Sequence, residues 1–419
     1  MSHKFSLQLS ENDIEMSRLI DGELGRIRDT LQLIPSENFA SRAVMEVTGS
    51  ILTNKYAEGY PYKRYYEGNE FVDQIESLAI ERAKTLFGAE YANVQPLSGG
   101  PANMCAYEAI LQDGDTVLSL NLAQGGHLTH GATVNFSGKK YHFVHYNLDP
   151  VTHLINFDEV RALAQKEKPK LILAGYTAYP RMVDFTQFKT IADEVGALFM
   201  ADISHIAGLI VGGVHQSAVP YADIVTSTTH KTLRGPRGAL ILAKAELGDA
   251  INKAVFPRIQ AGPHMHSIAA KAVAFHEAMQ PDFKEYAAQI LKNAKVLSEE
   301  LMNLGYDLVS GGTDTHLMIV DLRKKGITGK AAATALDEAG IVANKNLVPY
   351  DTASPFVTSG VRLGTPAMTT RGLKEKDMLQ VAAWMDRVMR SVENTEEKMK
   401  VRGEIKEYLK AFPLYDYLG

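Results

Sequence analysis

The sequence predicts an α/β protein with a mostly parallel central sheet covered by helices, followed by a smaller α+β domain. Three observations carry this. The short apolar runs LILAG (171–175), ALFMAD (197–202), ADIVTST (222–228) and GALILAK (238–244) have the length and continuity of strands buried on both faces. Amphipathic stretches such as DFTQFKTIADEVG (184–196) lie among them, the alternation expected of parallel strands joined by helices. From about residue 281 the texture changes to a long amphipathic stretch, FKEYAAQILKNAKVLSEELMNLG (283–305), then YDLVSGG and THLMIVDL as strands and GKAAATALDEAG as a helix.

Taken in chain order, residues 1–55 read as an N-terminal helical arm, 56–280 as the large domain and 281–419 as the small one. The opening MSHKFSLQLSENDIEM has no apolar core of a secretory signal. YANV reads as a strand, and PLSGGPANMCAYEAIL (96–111) as a glycine turn entering a helix. Pro101 suits a first helical turn because its missing N–H would be unpaired there. The most apolar stretch, GALFMADISHIAGLIVGGV, is broken by Asp202, Ser204 and His205, so no membrane span is expected. The final TEEKMKVRGEIKEYLKAF carries charges at helical spacing and reads as a solvated surface helix.

Composition narrows the function classes. A formal net charge of −5 over 419 residues argues against nucleic-acid binding. The single cysteine, Cys105, rules out an intrachain disulfide and reads as a packed core thiol. A soluble, cytoplasmic protein is the expectation.

Chemistry concentrates in TSTTHKTLRGPRG (226–238), where hydroxyls and His230 crowd against Lys231 before a sharp bend. A lysine amine at a strand end can form a Schiff base with an aldehyde. Asp202 closes an apolar strand, where a carboxylate needs a cationic or hydrogen-bonding partner; a protonated pyridine nitrogen would serve, and so would capping the next helix. Ser98-Gly99-Gly100 before a helix offers backbone N–H groups to a phosphate. Phosphate, pyridinium and aldehyde at one sheet edge specify pyridoxal phosphate, with His127 of GGHLTHG available to stack on the ring. The pairs His127/His130 and His264/His266 have ligand-like spacing, but no acidic or thiol cluster accompanies them, and no metal is expected.

The motifs LTNKYAEGYPYKRYY, GGHLTHG, VNFSGK, THKTLRGPRGALILAK and SPFVTSGVRLGTPA resemble those of serine hydroxymethyltransferases, in a divergent bacterial or archaeal-like form. The resemblance implies the aspartate-aminotransferase type fold (fold type I of pyridoxal-phosphate enzymes) and a homodimer with shared active sites. It implies that Lys231 carries the cofactor, Asp202 pairs with its ring nitrogen, His127 stacks on it, and Thr177 and His205 lie near the ring oxygen. His230 would help pack it. Ser98, Gly99 and Gly100 would line the phosphate, with Tyr56 and Gly262 supplied by the second subunit. Arg362 would clamp the substrate carboxylate near Ser36, and Glu58 and Tyr66 of the second subunit would face the substrate hydroxyl. Tyr65, Leu122, Gly126, His127, Leu128, Asn346, Ser354, Pro355 and Phe356 would form the folate subsite.

The implied reaction breaks the Cα–Cβ bond of serine and passes the one-carbon unit to tetrahydrofolate, giving glycine and 5,10-methylenetetrahydrofolate. Glu58 is the expected proton manager at the hydroxyl. A folate-independent 3-hydroxy amino acid aldolase or an α-methylserine hydroxymethyltransferase would use the same lysine and aspartate. The chain departs from the family's usual pattern at the phosphate: Gly100 stands where SGSQAN has its second serine, and Arg258, Ala261 and His264 replace Gly, Gly and Leu of FPGxQGGPLMH. Arg258 or a backbone donor is the expected compensation for the missing hydroxyl.

Overall fold

The computed structural model describes residues 5–418. Seven strands form the central sheet: β1 (Tyr91–Asn93), β2 (Thr116–Leu120), β3 (His142–Tyr146), β4 (Leu171–Gly175), β5 (Leu198–Asp202), β6 (Ile224–Thr228) and β7 (Ala239–Ala243). Their spatial order is β1-β7-β6-β5-β4-β2-β3. β7 runs antiparallel to both its neighbours, and the other pairings are parallel. β4, β6 and β7 are buried along their whole length, which is why they read as unbroken apolar runs in the sequence.

A second, antiparallel sheet contains β8 (Asp307–Leu308), β9 (Leu317–Asp321), β10 (Asn344–Asn346) and β11 (Gly360–Gly364) in the order β8-β9-β11-β10. The helices that matter below are α1 (Ile14–Asp29), α2 (Glu70–Phe87), α3 (Gly99–Ile110), α4 (Phe185–Val195), α5 (Met265–Ala278), α6 (Pro281–Asn303), α7 (Gly329–Glu338), α8 (Glu375–Met389) and α9 (Thr395–Leu409).

Two large apolar cores result, one around the central sheet and one around the antiparallel sheet. α6 belongs to both. Phe283, Tyr286 and Ile290 enter the first, while Ala294, Leu297 and Leu301 enter the second. The N-terminal segment is tied to the second core through Leu31 and Leu33, and Leu31–Gln32 pairs in parallel with Ile341–Val342.

α9 differs from its sequence reading. Val401, Ile405 and Leu409 recur every fourth residue on one face and are fully buried or nearly so. The helix is therefore half core, and its charges cover only the opposite face. Cys105 is buried in α3, and burial pushes its thiol up to about 12. No helix among the described residues is long and apolar enough to cross a membrane.

Candidate active site

Chemistry-bearing residues gather at the carboxyl ends of the parallel strands, as open α/β sheets dictate. β5 ends in Asp202, in register with Gly175 of β4 and Thr226 of β6. β6 delivers His230 and Lys231, β4 delivers Tyr176 and Thr177, and the loop after β2 delivers His127 and His130. They surround a cavity of about 310 Å³ that Ser36, Ser98, Gly99, Gly100, His205 and Arg362 also line.

The loop carrying Lys231 is closed on itself. Thr229 donates from N to Gly238 O (3.0 Å) and from Oγ1 to Pro236 O (2.7 Å), and Gly235 N donates to Thr229 O (2.7 Å). The hydroxyl run is mostly internal scaffolding. Thr226 Oγ1 donates to Asn103 Oδ1 (2.6 Å) and Ser227 Oγ to Thr228 O (2.8 Å), leaving Thr228 as the one of the four at the cavity wall. Thr228 is held there by its N–H bond to Ser204 Oγ (3.0 Å).

Lys231 Nζ has no hydrogen bond or ion pair among the described residues. Burial lowers its pKa to about 8, partly opposed by Asp202, so a substantial share of the amine is neutral near physiological pH. Arg362 is likewise a buried cation without a carboxylate partner. Its Nε donates to Asn344 Oδ1 (3.0 Å) and its Nη1 to Thr177 O (2.6 Å), which fixes the guanidinium plane and leaves N–H groups free for an anion. Burial alone pulls it down to about 10.

Asp202 receives three donors or potential donors: Asn103 Nδ2 (2.9 Å) and His130 Nε2 (3.2 Å) at Oδ2, and Ser204 N (3.1 Å) at Oδ1. Burial would raise this carboxyl, but the imidazoles of His130 and His127 and the Asn103 amide outweigh it and hold the carboxylate ionised, well below its usual range. His127 is neutral, since burial and then the adjacent His130 lower it to about 4. Thr129 N donates to its Nδ1 (3.2 Å), which puts the proton on Nε2. His205 is buried and stacked on His316, its Nδ1 3.2 Å from His316 Nε2; burial and the nearby Lys231 keep it neutral. His230, lowered by burial to about 3, buries an Nδ1 with no partner among the described residues.

α3 begins at Gly99, with Ser98 as its N-cap making no side-chain capping bond. First-turn amides have no partner inside a helix, so those of Gly99 and Gly100 are free for a ligand's anionic oxygens. A Cβ on Gly99 would lie 2.8 Å from Thr228 Cγ2, so that glycine is sterically required; on Gly100 it would meet nothing nearer than Thr129 Cγ2 at 3.7 Å. Within one chain Arg258 does not reach Gly100. It is outside the cavity lining and 3.6 Å from Glu108.

These features fit pyridoxal phosphate: amides for a phosphate, an ionised carboxylate for a ring nitrogen, an unpaired amine for the aldehyde and an unpaired arginine for a substrate carboxylate. The family model for serine hydroxymethyltransferase matches residues 9–385. The chain belongs to the serine hydroxymethyltransferase family. It is 56% identical over 416 residues to the serine hydroxymethyltransferase of Rickettsia massiliae (strain Mtu5), covering 98% of this chain and 99% of that one. The protein of the same name from Rickettsia peacockii (strain Rustic) is 55% identical over 416 residues, with the same coverage. Family members use pyridoxal phosphate and take tetrahydrofolate as co-substrate, and the fold is fold type I.

The other residues implied by the resemblance lie outside the cavity wall. Tyr56, Glu58, Tyr66 and Gly262 form a cluster of their own. Tyr56 Oη donates to Glu58 Oε1 (3.2 Å), its ring meets Tyr66 edge-on at 5.4 Å, and a Cβ on Gly262 would touch it at 3.2 Å. Tyr65 packs beside them against Phe256. Leu122, Leu128 and Phe356 are exposed apolar side chains. Gly126 sits in the tight turn after β2, where its N donates to Asn121 O (3.1 Å), and Asn346 Nδ2 donates to Leu347 O (2.6 Å). Ser354 and Pro355 belong to the loop between β10 and β11.

Asn103, His130, Tyr176, Ser204 and Thr228 were not singled out as site residues by sequence reasoning. Asn103 had a usable signal: it lies four residues after Gly99, on the same helix face. His130 had none beyond its spacing from His127. Among the described residues no group of three or more histidines, cysteines and acids is placed to hold a metal; His264 and His266 simply stack on each other.

Proposed function

We propose that this chain interconverts serine plus tetrahydrofolate with glycine plus 5,10-methylenetetrahydrofolate through the residues just described. The observation that carries the reading is the placement of two unpaired buried cations, Lys231 and Arg362, around one ionised carboxylate, Asp202, beside the free amides of α3. Pyridoxal phosphate, when bound, supplies an aldehyde for an amine and a ring that draws electrons from an amino acid's Cα.

Asp202 holds a proton at the ring nitrogen, because an adjacent negative charge favours the cationic form. The amides of Gly99 and Gly100, with Ser98, hold the phosphate. Neutral His127 offers a flat, uncharged face to the ring, and Thr177, His205 and His230 wall it in. Lys231 anchors the cofactor through its amine. Arg362 fixes the substrate carboxylate beside Ser36 and thereby decides which Cα bond is aligned for cleavage. Glu58 moves the proton at the substrate hydroxyl, assisted by Tyr66. Tyr65, Leu122, Gly126, Leu128, Asn346 and Ser354–Phe356 hold the pterin.

Glu58, Tyr56, Tyr66 and Gly262 serve a second copy's cavity in this reading, making the enzyme a cytoplasmic homodimer. Their clustering away from their own cavity supports this. So does the open space of about 810 Å³ beside the site, which shares Ser36, His230 and Arg237 with it. We take residues 1–55, 56–280 and 281–419 as arm, large domain and small domain.

Serine turnover should require tetrahydrofolate; turnover equally fast without it would favour the aldolase reading. For the shared site, inactive Lys231→Ala and inactive Glu58→Gln are dissociated and reassembled together. Hybrid dimers hold one intact site, so activity should return to about a quarter of the native level. No recovery would place Glu58 in its own chain's site.

A further inference from the structure

Lys271 has no part in the chemistry above, yet it is a lysine with 1% of its surface exposed. It projects from α5 into the gap where β1 and β7 separate. The ladder between those strands covers Tyr91–Asn93; beyond it one backbone bond, Ala239 N to Pro96 O (3.1 Å), remains, and the chain turns towards the phosphate-binding end of α3. The Lys271 ammonium fills the gap, donating to Val94 O (2.7 Å), Pro96 O (3.0 Å) and Ala239 O (2.8 Å). Three donors meet three carbonyls.

Between them lies a complementary clamp. Gln260 Nε2 donates to Gln95 O (3.2 Å) and its Oε1 accepts from Leu97 N (3.1 Å). Every carbonyl from Val94 to Pro96 is therefore held, and Leu97 alone separates them from Ser98. The fit on the other side is equally close: a Cβ on Gly238, at the end of the Lys231 loop, would lie 2.4 Å from Lys271 Cε. Burial pulls the ammonium down to about 7, while Glu76 and the ring of three carbonyl oxygens favour its charged form.

We propose that Lys271 is a positioning residue for the phosphate cup: its ammonium fixes the peptides of Val94–Pro96 so that the amides of Ser98, Gly99 and Gly100 converge before the cofactor arrives. This rests on the assignment of those amides to the cofactor phosphate. It also explains a buried charge that no carboxylate pairs with directly, since Val94 O and Ala239 O, left by the ladder, need a substitute donor.

The test compares the affinity of cofactor-free protein for pyridoxal phosphate and for pyridoxal, which lacks the phosphate. Wild type, Lys271→Met, Lys271→Gln and a Leu336→Ala control in the second core are titrated by absorbance, with melting temperatures in parallel. Lys271→Met should cut the preference for the phosphorylated form tenfold or more. Lys271→Gln, which keeps an amide donor and guards against a methionine variant that does not fold, should fall between. Leu336→Ala should lower the melting temperature and leave the preference intact. If the Lys271 variants lose stability but keep the wild-type preference, Lys271 is a fold anchor and the proposal is overturned. If wild type itself shows no preference for the phosphate, it is the assignment of the cup that fails.

Discussion

Replacing Arg362 with methionine separates what the residue does for the fold from what it does for the substrate. In the protein its guanidinium makes two hydrogen bonds, to Asn344 Oδ1 and Thr177 O, whose loss costs about 3–6 kcal/mol in total. Against this stands the charge itself. Its pKa falls from 12.5 to about 10 on burial, so the folded state carries an electrostatic penalty below that pH; removing the cation relieves about 3 kcal/mol. The two effects cancel in large part, leaving a net loss of about 0–3 kcal/mol, and the substrate-free protein should melt within about 5 °C of wild type. The substrate sees no cancellation. Two charge-assisted bonds to a carboxylate are worth about 3–6 kcal/mol, so serine should bind roughly a hundredfold to ten-thousandfold more weakly. Calorimetric titration of the cofactor-loaded protein with serine, and with ethanolamine as the same amine and hydroxyl without the carboxylate, reads this directly. Serine should fall to the level of ethanolamine, whose binding should not change. Loss of both ligands together, or unaltered serine affinity, would refute the assignment of Arg362.

Two further outcomes follow from the cup and the lysine. Gly100→Ser adds a side chain where only Thr129 Cγ2 is near, at 3.7 Å, and one hydroxyl hydrogen bond of about 1 kcal/mol should tighten pyridoxal phosphate binding roughly fivefold; an unchanged dissociation constant would mean that the hydroxyl finds no phosphate oxygen there. The pKa of Lys231, lowered to about 8, predicts that cofactor capture by the free protein quickens about tenfold per pH unit below 8 and levels off above it, as the neutral amine accumulates. Stopped-flow absorbance against pH checks this, and a rise continuing past pH 10 would contradict the lowered value.

Much of this architecture was legible in the residues because burial leaves a simple trace. LILAG and GALILAK are strands with both faces covered, so they show no alternation, and their apolar continuity marks them. Asp202 and Lys231 were findable because polar groups at the ends of such runs stand out. The C-terminal helix was misread because its charges outnumber the every-fourth-residue positions Val401, Ile405 and Leu409, which do the packing. The hydroxyls of TSTT crowd towards Lys231 in the sequence, yet Thr226, Ser227 and Thr229 bond to neighbouring protein groups. Such satisfaction depends on which carbonyl a fold brings near, and His130 came within reach of Asp202 in the same way, across 72 residues of chain. Tyr56, Glu58 and Tyr66 lie outside the cavity wall of their own chain, a placement that periodicity does not contain.

The helix Pro281–Asn303 has a consequence for how ligands enter. It plants Phe283 and Tyr286 in the core of the large sheet and Leu297 and Leu301 in that of the small one, without a break between them. A jaw-like opening of the two units would have to bend this rod or pull one end from a close-packed interior. Admission of an amino acid and a folate therefore needs no parting of the two units and is left to the loops around the cavity. The two halves of the chain should accordingly melt as one transition, with cofactor release preceding unfolding without any parting of the domains.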